Sequence, residues 1–469
     1  MDVEERLALV TRNSVETVTD EELRALLEAK EHPRAYIGFE PSGLVHLGWV
    51  LVAQKIRDLC DAGFEVTIFW ADWHAYINDK LGGDMGNIQA CARYMEDCFI
   101  ALGVPRDRVV FRYASDMVSD KRYWEMVINV GKATSLSRVK RAMTIMGRSE
   151  DEAEVDASKL FYPILQATDI FYMDVDLCYA GLDQRRAHML ARDAADKLGW
   201  RKPIALHTPL LPGLKGGNRM DPVESKMSKS DPAGNISILD SKEDIARKMK
   251  KAYCPPEEEN EDVNPVMMLC RYIIFPREGS MHIDRPEKYG GPLDFSSYEE
   301  LRAAYYGGGL SPVDLKSGVT DGMDRTLAPV RAYFAEHPEN YEAIKAIVEG
   351  LKKLRRRPSA LQVREALRVL PGAYRAHGVH GVLDAHCQRG LHVARPAQPG
   401  GAVVAPAVAH GLRPDAGHDL AQADPLADGL LGGPAADPEL ALALRPDERH
   451  VGAGAQERPA RGGLEAPRA

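Results

Sequence analysis

Between residues 33 and 211, short β-rich stretches alternate with helical stretches of ten residues or more. That alternation leaves few folds open. AYIGFEPSG reads as a first strand and its turn, followed by the helix HLGWVLVAQKIRDLCDAG. VTIFWADW is a second, buried strand, with a helix over roughly 86–102, and VVFRYAS is a third. Helical patterns return near 121–139 and again over KLFYPILQATDIFY. DVDLCYAG, another strand, leads directly into the helix DQRRAHMLARDAADKLG, and PIALHTPLL is a fifth. The expectation is an α/β fold, a doubly wound parallel sheet with helices on both faces. In such sheets ligands bind beyond the carboxyl ends of the strands, where the winding direction reverses. The glycine-rich turn after the first strand is where a nucleotide is expected.

Two helices are expected in residues 1–32; Thr19 followed by Glu22 forms a capping-box pattern, and Pro33 marks the exit. The sheet domain then spans 33–239. From about 240 onward SKEDIARKMKKAY, the stretch around NPVMMLCRYIIF, SSYEELRAAYY and the run 321–354 read as helices, a smaller helical domain over 240–354. The tail, 355–469, is crowded with Ala, Gly, Pro, Arg and His and has no Lys, Ile, Met, Asn, Thr, Phe or Trp. Without that apolar surface it cannot offset its ordering entropy. It reads either as a disordered extension or, the reading favoured here, as a GC-rich coding sequence translated in the wrong frame. Its histidines are not taken as a metal site.

Composition narrows function. A net charge of −9 excludes a globally basic RNA coat, so any RNA contact must use local patches. Clusters at Arg138–Arg141 and Lys248–Lys251 are candidates, although such runs are more commonly solvated helix faces. Seven cysteines, an odd number with no two-residue spacing, suit reduced thiols in the cytosol better than a disulfide frame. The charged amino terminus is no signal peptide, and no apolar run approaches bilayer-spanning length. A cytoplasmic protein is expected.

Two segments carry chemistry. In PSGLVHLGW, Ser42, Gly43 and Gly48 keep the backbone low where phosphates could approach a helix amino terminus, and His46 can donate to a phosphate oxygen. In KMSKS, Lys226 and Lys229 flank Ser228 in a polar loop that could close two ammonium groups on a polyphosphate. Alone, the first could be a plain strand-to-helix turn and the second a solvated basic turn. Further on, Tyr162, Gln166 and Asp169 fall at i, i+4 and i+7, a polar stripe on one face of an otherwise apolar helix. Tyr36, just before Gly38, suits a pocket wall.

Taken together, YIGFEPSG, HLG, FYPILQATD, GLDQR and KMSKS, in this order, resemble the tyrosyl-tRNA synthetases of archaeal and eukaryotic type, class I aminoacyl-tRNA synthetases. The resemblance runs from about residue 5 to 354. It implies a Rossmann-like catalytic domain, a helical dimer-forming insert near 115–155, a helical anticodon-binding domain, and a homodimer. It implies L-tyrosine, ATP with Mg²⁺ and tRNA(Tyr) as partners, with no tightly bound metal and no membrane. By resemblance Tyr36 and Asp169 hold the tyrosine hydroxyl, Tyr162 and Gln166 its amino group, and Gln184 helps fix the substrate. Gly181 and Asp183 lie near the ATP ribose; His46, Lys226 and Lys229 act on the phosphates. Tyr289 and Asp314 are the anticodon candidates, with Asp314 in a PxD-like turn. Two departures stand out: Trp49 sits where many class I enzymes have a second histidine, and Ser311 where archaeal relatives often have one. The alternatives are a tryptophanyl-tRNA synthetase, a catalytically lapsed RNA-binding relative, or a nucleotidyltransferase without a tRNA partner.

Overall fold

A computed structural model describes residues 1–147, 156–216, 227 and 234–355. The chain opens with α1 (Val3–Thr11), whose capping box pairs the Asp2 carboxylate with the Glu5 amide at 2.9 Å and the Glu5 carboxylate with the Asp2 amide. A three-residue strand that the sequence does not announce, β1 (Glu16–Val18), precedes α2 (Asp20–Ala29), which Thr19 and Glu22 cap as expected. These helices are tied to the sheet domain by the buried Lys55, whose ammonium donates to the carbonyls of Leu9, Val10 and Arg12 at the end of α1. Burial pulls that lysine down to about 8.

Five parallel strands follow: β2 (Arg34–Phe39), β3 (Glu65–Trp70), β4 (Val109–Tyr113), β5 (Leu177–Gly181) and β6 (Ile204–Thr208). Their order is β1-β6-β5-β2-β3-β4, with β1 antiparallel on β6. The chain winds from β2 outward through β3 to β4, then crosses back to β5 and β6. The direction therefore reverses between β2 and β5, and a crevice opens beyond their carboxyl ends.

Side-chain alternation splits the sheet between two cores. Ile37, Ile68, Trp70 and Leu206 pack with α3 (Gly48–Asp61) and, beyond α4 (Asp72–Ile77), with α5 (Met85–Ala101). Tyr36, Phe69, Cys178 and Ala205 face the opposite layer. After α6 (Ala114–Met117), that layer is built by α7 (Lys121–Ala133), α8 (Leu136–Ala142), α9 (Phe161–Tyr172) and α10 (Arg185–Leu198).

The region after residue 240 is helical, as expected, with corrections in detail. It contains α11 (Lys242–Lys250), then α12 (Pro265–Leu269) and α13 (Phe275–Glu278) joined by a π turn at Cys270–Ile274. Pro276 has no N–H to place in a regular α ladder, which accounts for the local widening. An unexpected hairpin, β7 (Met281–Ile283) and β8 (Leu293–Phe295), precedes α14 (Tyr298–Tyr306). The helical run expected over 321–354 is two helices, α15 (Pro312–Glu336) and α16 (Glu339–Arg355). Ser311 caps the first by accepting the Asp314 amide at 3.2 Å, so α15 begins earlier than its apolar pattern suggests. Pro338 ends it, forcing His337 out of the helical region to φ −128°, ψ 67°. Among the described residues no helix is long and apolar enough to cross a membrane.

Candidate active site

A cavity of about 770 Å³ fills the crevice between the carboxyl ends of β2 and β5. Asp169 enters it from α9 and Tyr36 from β2; they are only 1% and 2% exposed. The Tyr123 hydroxyl, on α7, donates to Asp169 Oδ1 at 2.7 Å. His74, on α4, brings Nε2 to 3.3 Å from Asp169 Oδ2, but too obliquely for a formed hydrogen bond. Burial drives His74 down to about 3, so the imidazole is neutral and the contact is no ion pair. Burial also pushes the Asp169 carboxyl well above the usual range, and the Tyr123 hydroxyl opposes that rise. Tyr36 is raised too, by burial first and by Asp169 second. The cluster is a buried acceptor held by one phenol, ready for a second hydroxyl.

A different polar group lies farther along α9. Gln166 Nε2 donates to Gln184 Oε1 at 3.3 Å, and Gln184 Nε2 donates to the Ile145 carbonyl at 3.2 Å. Gln166 Oε1 is buried with no partner among the described residues. Tyr162 stands edge-on to His74, ring centres 4.9 Å apart, and its phenol faces Glu40. Glu40 accepts from Asn78 Nδ2 at 2.8 Å and lies 3.4 Å from Lys80 Nζ. Burial raises the Glu40 carboxyl, with Lys80 opposing. An orphaned amide oxygen beside an acidic group is a ready receptor for an ammonium.

The rim toward α3 carries Ser42, His46 and Gly48. His46 is bridged to Ser237, and its Nδ1 accepts the Gly48 amide at 3.2 Å. A Cβ at Gly48 would stand 2.9 Å from the imidazole Cε1, so only glycine leaves room for the ring. Opposite, Gly181, Asp183 and Gln184 line the cavity, and a Cβ at Gly181 would fall 2.8 Å from Asp183 Oδ1. Met227 is buried against this cavity, its amide donating to the Leu211 carbonyl at 2.8 Å. Met227 is thus the one described residue of KMSKS; Lys226, Ser228 and Lys229 lie outside the described residues, as does most of the tail.

The structure therefore brings Tyr36, His46, Gly48, Tyr162, Gln166, Asp169, Gly181, Asp183 and Gln184 to one cavity. Gly43 is not on its wall. Its amide donates backward to Cys91 Sγ at 3.2 Å, while Ser42 lines the cavity instead. Trp49 packs against both Phe39 and Phe99, with ring centres 4.7 and 4.9 Å away. Tyr289, 60% exposed, and Asp314 are not among the residues that line the cavity. Asp314 is in the first turn of α15 rather than in an open turn, and it accepts the Ser311 hydroxyl at 2.8 Å. Arg285 ties the two loops together, donating to the carbonyls of Gly291 and Gly309. Of the basic clusters, Arg138 is paired with Asp193 and Lys248 with Asp240.

Glu40, His74, Lys80 and Tyr123 escape sequence reasoning. Tyr123 is 46 positions from Asp169, and nothing local to α7 marks it. Tyr123→Phe is expected to lower kcat/KM for the hydroxylated substrate about tenfold or more, since a hydrogen bond to a charged group contributes roughly 1.5–3 kcal/mol. Without that donor the Asp169 carboxyl ionises less readily, so the acid limb of the pH–rate profile should move to higher pH. An unmoved limb with unchanged kcat/KM would remove Tyr123 from the pocket.

Comparison with known proteins fits this geometry. The family model described as tRNA synthetases class I (W and Y) matches residues 28–328. A tyrosine–tRNA ligase of Aeropyrum pernix is 49% identical over 357 residues, covering 74% of this chain and 98% of that protein. The crystal structure of the tyrosyl-tRNA synthetase from Aeropyrum pernix superposes with TM-score 0.67 at 46% identity, covering 74% of this chain and all of that one. The Pyrococcus horikoshii tyrosyl-tRNA synthetase, solved in complex with L-tyrosine, gives TM-score 0.69 at 40% identity, again over 74% and 100%. With a doubly wound sheet, a buried carboxylate–phenol pair at its switch point and relatives this similar over nearly their full length, the chain belongs to the class I aminoacyl-tRNA synthetases, in their tyrosyl branch.

Proposed function

We propose that this chain activates L-tyrosine with ATP and transfers it to tRNA(Tyr). The observation that carries the specificity is the Asp169 carboxylate, buried, held by Tyr123 and lining one cavity with Tyr36. In this reading the tyrosine hydroxyl donates to Asp169 and meets Tyr36. The ammonium is received by Gln166 Oε1 and Tyr162, with Glu40 and Gln184 behind them. The tyrosine carboxylate then attacks the α-phosphate of ATP in line, the P–O bond to the β-phosphate breaks, and pyrophosphate leaves. The terminal ribose hydroxyl of the tRNA attacks the resulting acyl carbon and AMP departs. No covalent enzyme intermediate is needed, so the protein contributes position and charge stabilisation.

His46, Lys226 and Lys229 are the groups assigned to the phosphates, with Gly48 and Ser228 beside them. Gly181 and Asp183 are assigned to the ribose. Mg²⁺ enters with ATP as part of the nucleotide substrate. We assign 33–239 to catalysis, 240–354 to RNA, and the 115–155 insert to pairing with a second copy. Trp124 and Ile128 on α7 and Leu136 on α8 leave large apolar groups in solvent, as a dimer face would. Tyr289 is assigned to stack on a base, and Asp314 to accept from one. Free cysteines at all six described positions suit the cytosol, where we place the reaction.

ATP–pyrophosphate exchange tests the reading. The full chain and residues 1–355 should both exchange with tyrosine, at equal rates, and neither with tryptophan. Exchange driven by tryptophan, or none with tyrosine, would overturn it.

A further inference from the structure

The phosphate-binding turn does not stand on the sheet domain alone. Two of its backbone amides are fixed from α5: Gly43 N–H donates to Cys91 Sγ at 3.2 Å and Val45 N–H to the Tyr94 hydroxyl at 3.4 Å. The Tyr94 ring in turn packs on the carboxyl-terminal helices, 5.6 Å from Phe334 of α15 and 6.0 Å from Tyr341 of α16. Asp97, also on α5, accepts from Tyr333 at 3.3 Å and from Asn340 at 2.8 Å, which pins the α15–α16 junction to the same helix.

α16 then reaches the turn itself. Val348 Cγ2 lies 3.8 Å from where a Gly43 Cβ would stand, and Gly43 has φ +122°. One turn farther, Leu351 Cδ2 lies 3.2 Å from the equivalent point on Gly82. Gly82 belongs to a costly turn in which Asp79, Leu81, Gly82 and Gly83 all have positive φ, two of them with side chains. That turn carries Lys80, which lines the cavity and pairs with Glu40. Lys159 holds its beginning through Asp79 at 2.8 Å, and Asn87 its Leu81 carbonyl at 3.3 Å. Leu351 closes it from outside.

We infer that α16 is a working part of the ligand site: Val348 and Leu351 are positioning residues that set the Gly43 turn for ATP and the Asp79–Gly83 turn for the amino acid. The helix joined to the RNA-facing α15 thereby also shapes the catalytic cavity. This rests on the placement of ATP and tyrosine in that cavity.

The test is steady-state ATP–pyrophosphate exchange on Leu351→Ala, on Val348→Ala and on the pair, without tRNA and well below each variant's melting temperature. The pair should raise KM for ATP and for tyrosine about tenfold while kcat changes little, because the two turns hold the substrates equally before and during the chemistry, and a loss of such uniform binding appears in KM. Hydrogen exchange at the Gly43 and Val45 amides should quicken alongside. Leu351→Met, which refills the contact, should restore both readouts even where the pair folds poorly. Phe295→Ala, a buried truncation in the hairpin, should lose stability and leave both unchanged. Unaltered KM values in the folded alanine variants, with Asp169→Ala raising KM for tyrosine, would reduce α16 to packing. If Asp169→Ala also left KM unchanged, the ligand placement would be at fault, and the inference would fall with it.

Discussion

Asp169→Ala is expected to abolish most of the preference for tyrosine over phenylalanine. A site that hydrogen-bonds a substrate hydroxyl can reject the analogue lacking it by on the order of 10⁴–10⁵, because the buried polar groups are left unpaired when the wrong substrate enters. Here those groups are the Asp169 carboxylate and the Tyr36 phenol, both almost wholly buried. With phenylalanine bound, Asp169 would keep only the Tyr123 hydroxyl and the oblique His74 contact. Removing the carboxylate removes the penalty on phenylalanine and the reward for tyrosine together, so both substrates should converge. The remaining preference should be about tenfold to a hundredfold, the scale that pocket shape alone supplies. Measuring kcat/KM for both amino acids in pyrophosphate exchange decides it. A ratio that survives the substitution would mean that Asp169 does not read the hydroxyl, and the specificity argument would have to move to another residue.

The fold and the cavity were legible in the sequence to different depths. Strand–helix alternation gave the doubly wound sheet, because parallel strands must be joined by long crossovers whose period shifts visibly. Strand β1 stayed hidden because three residues carry no period and its partner, around Ala205, lies nearly two hundred positions away. The break at Pro338 was written in the chain but masked by apolar spacing that continues on both sides. Within the site, the stripe Tyr162–Gln166–Asp169 was readable because one helix presents all three. Residues that act across elements were not. Tyr123 reaches Asp169 from α7, and Glu40 meets Lys80 across a turn with four left-handed residues, so only tertiary structure joins them. Gly43 was readable as a residue that keeps the backbone low, but not that its amide is turned back toward Cys91, 48 positions away. Trp49, left open between donor and packing roles, sits in an aromatic stack with Phe39 and Phe99.

That stack bears on the other large effect. With an indole in place of a second imidazole, His46 is the one histidine of its motif, so His46→Ala should cost more than the loss of one of two donors would. Donors aimed at charge that develops in the transition state are each worth on the order of 10²–10³ in kcat. A fall of that size in exchange kcat is expected, with KM for tyrosine little changed because His46 is assigned to the phosphates and not to the amino acid. Gly48→Ala offers an independent check on geometry. Gly48 sits at the start of α3 with an ordinary negative φ, so alanine there strains nothing in the backbone. Its one offence would be the methyl 2.9 Å from His46 Cε1, which must swing the ring away and break its bond to the Gly48 amide. Gly48→Ala should therefore reproduce part of the His46→Ala defect in a protein of near-normal stability, and adding it to His46→Ala should cost nothing further. If the two losses multiply instead, the glycine serves the backbone's approach to the phosphates directly, and the imidazole's orientation is not what it protects.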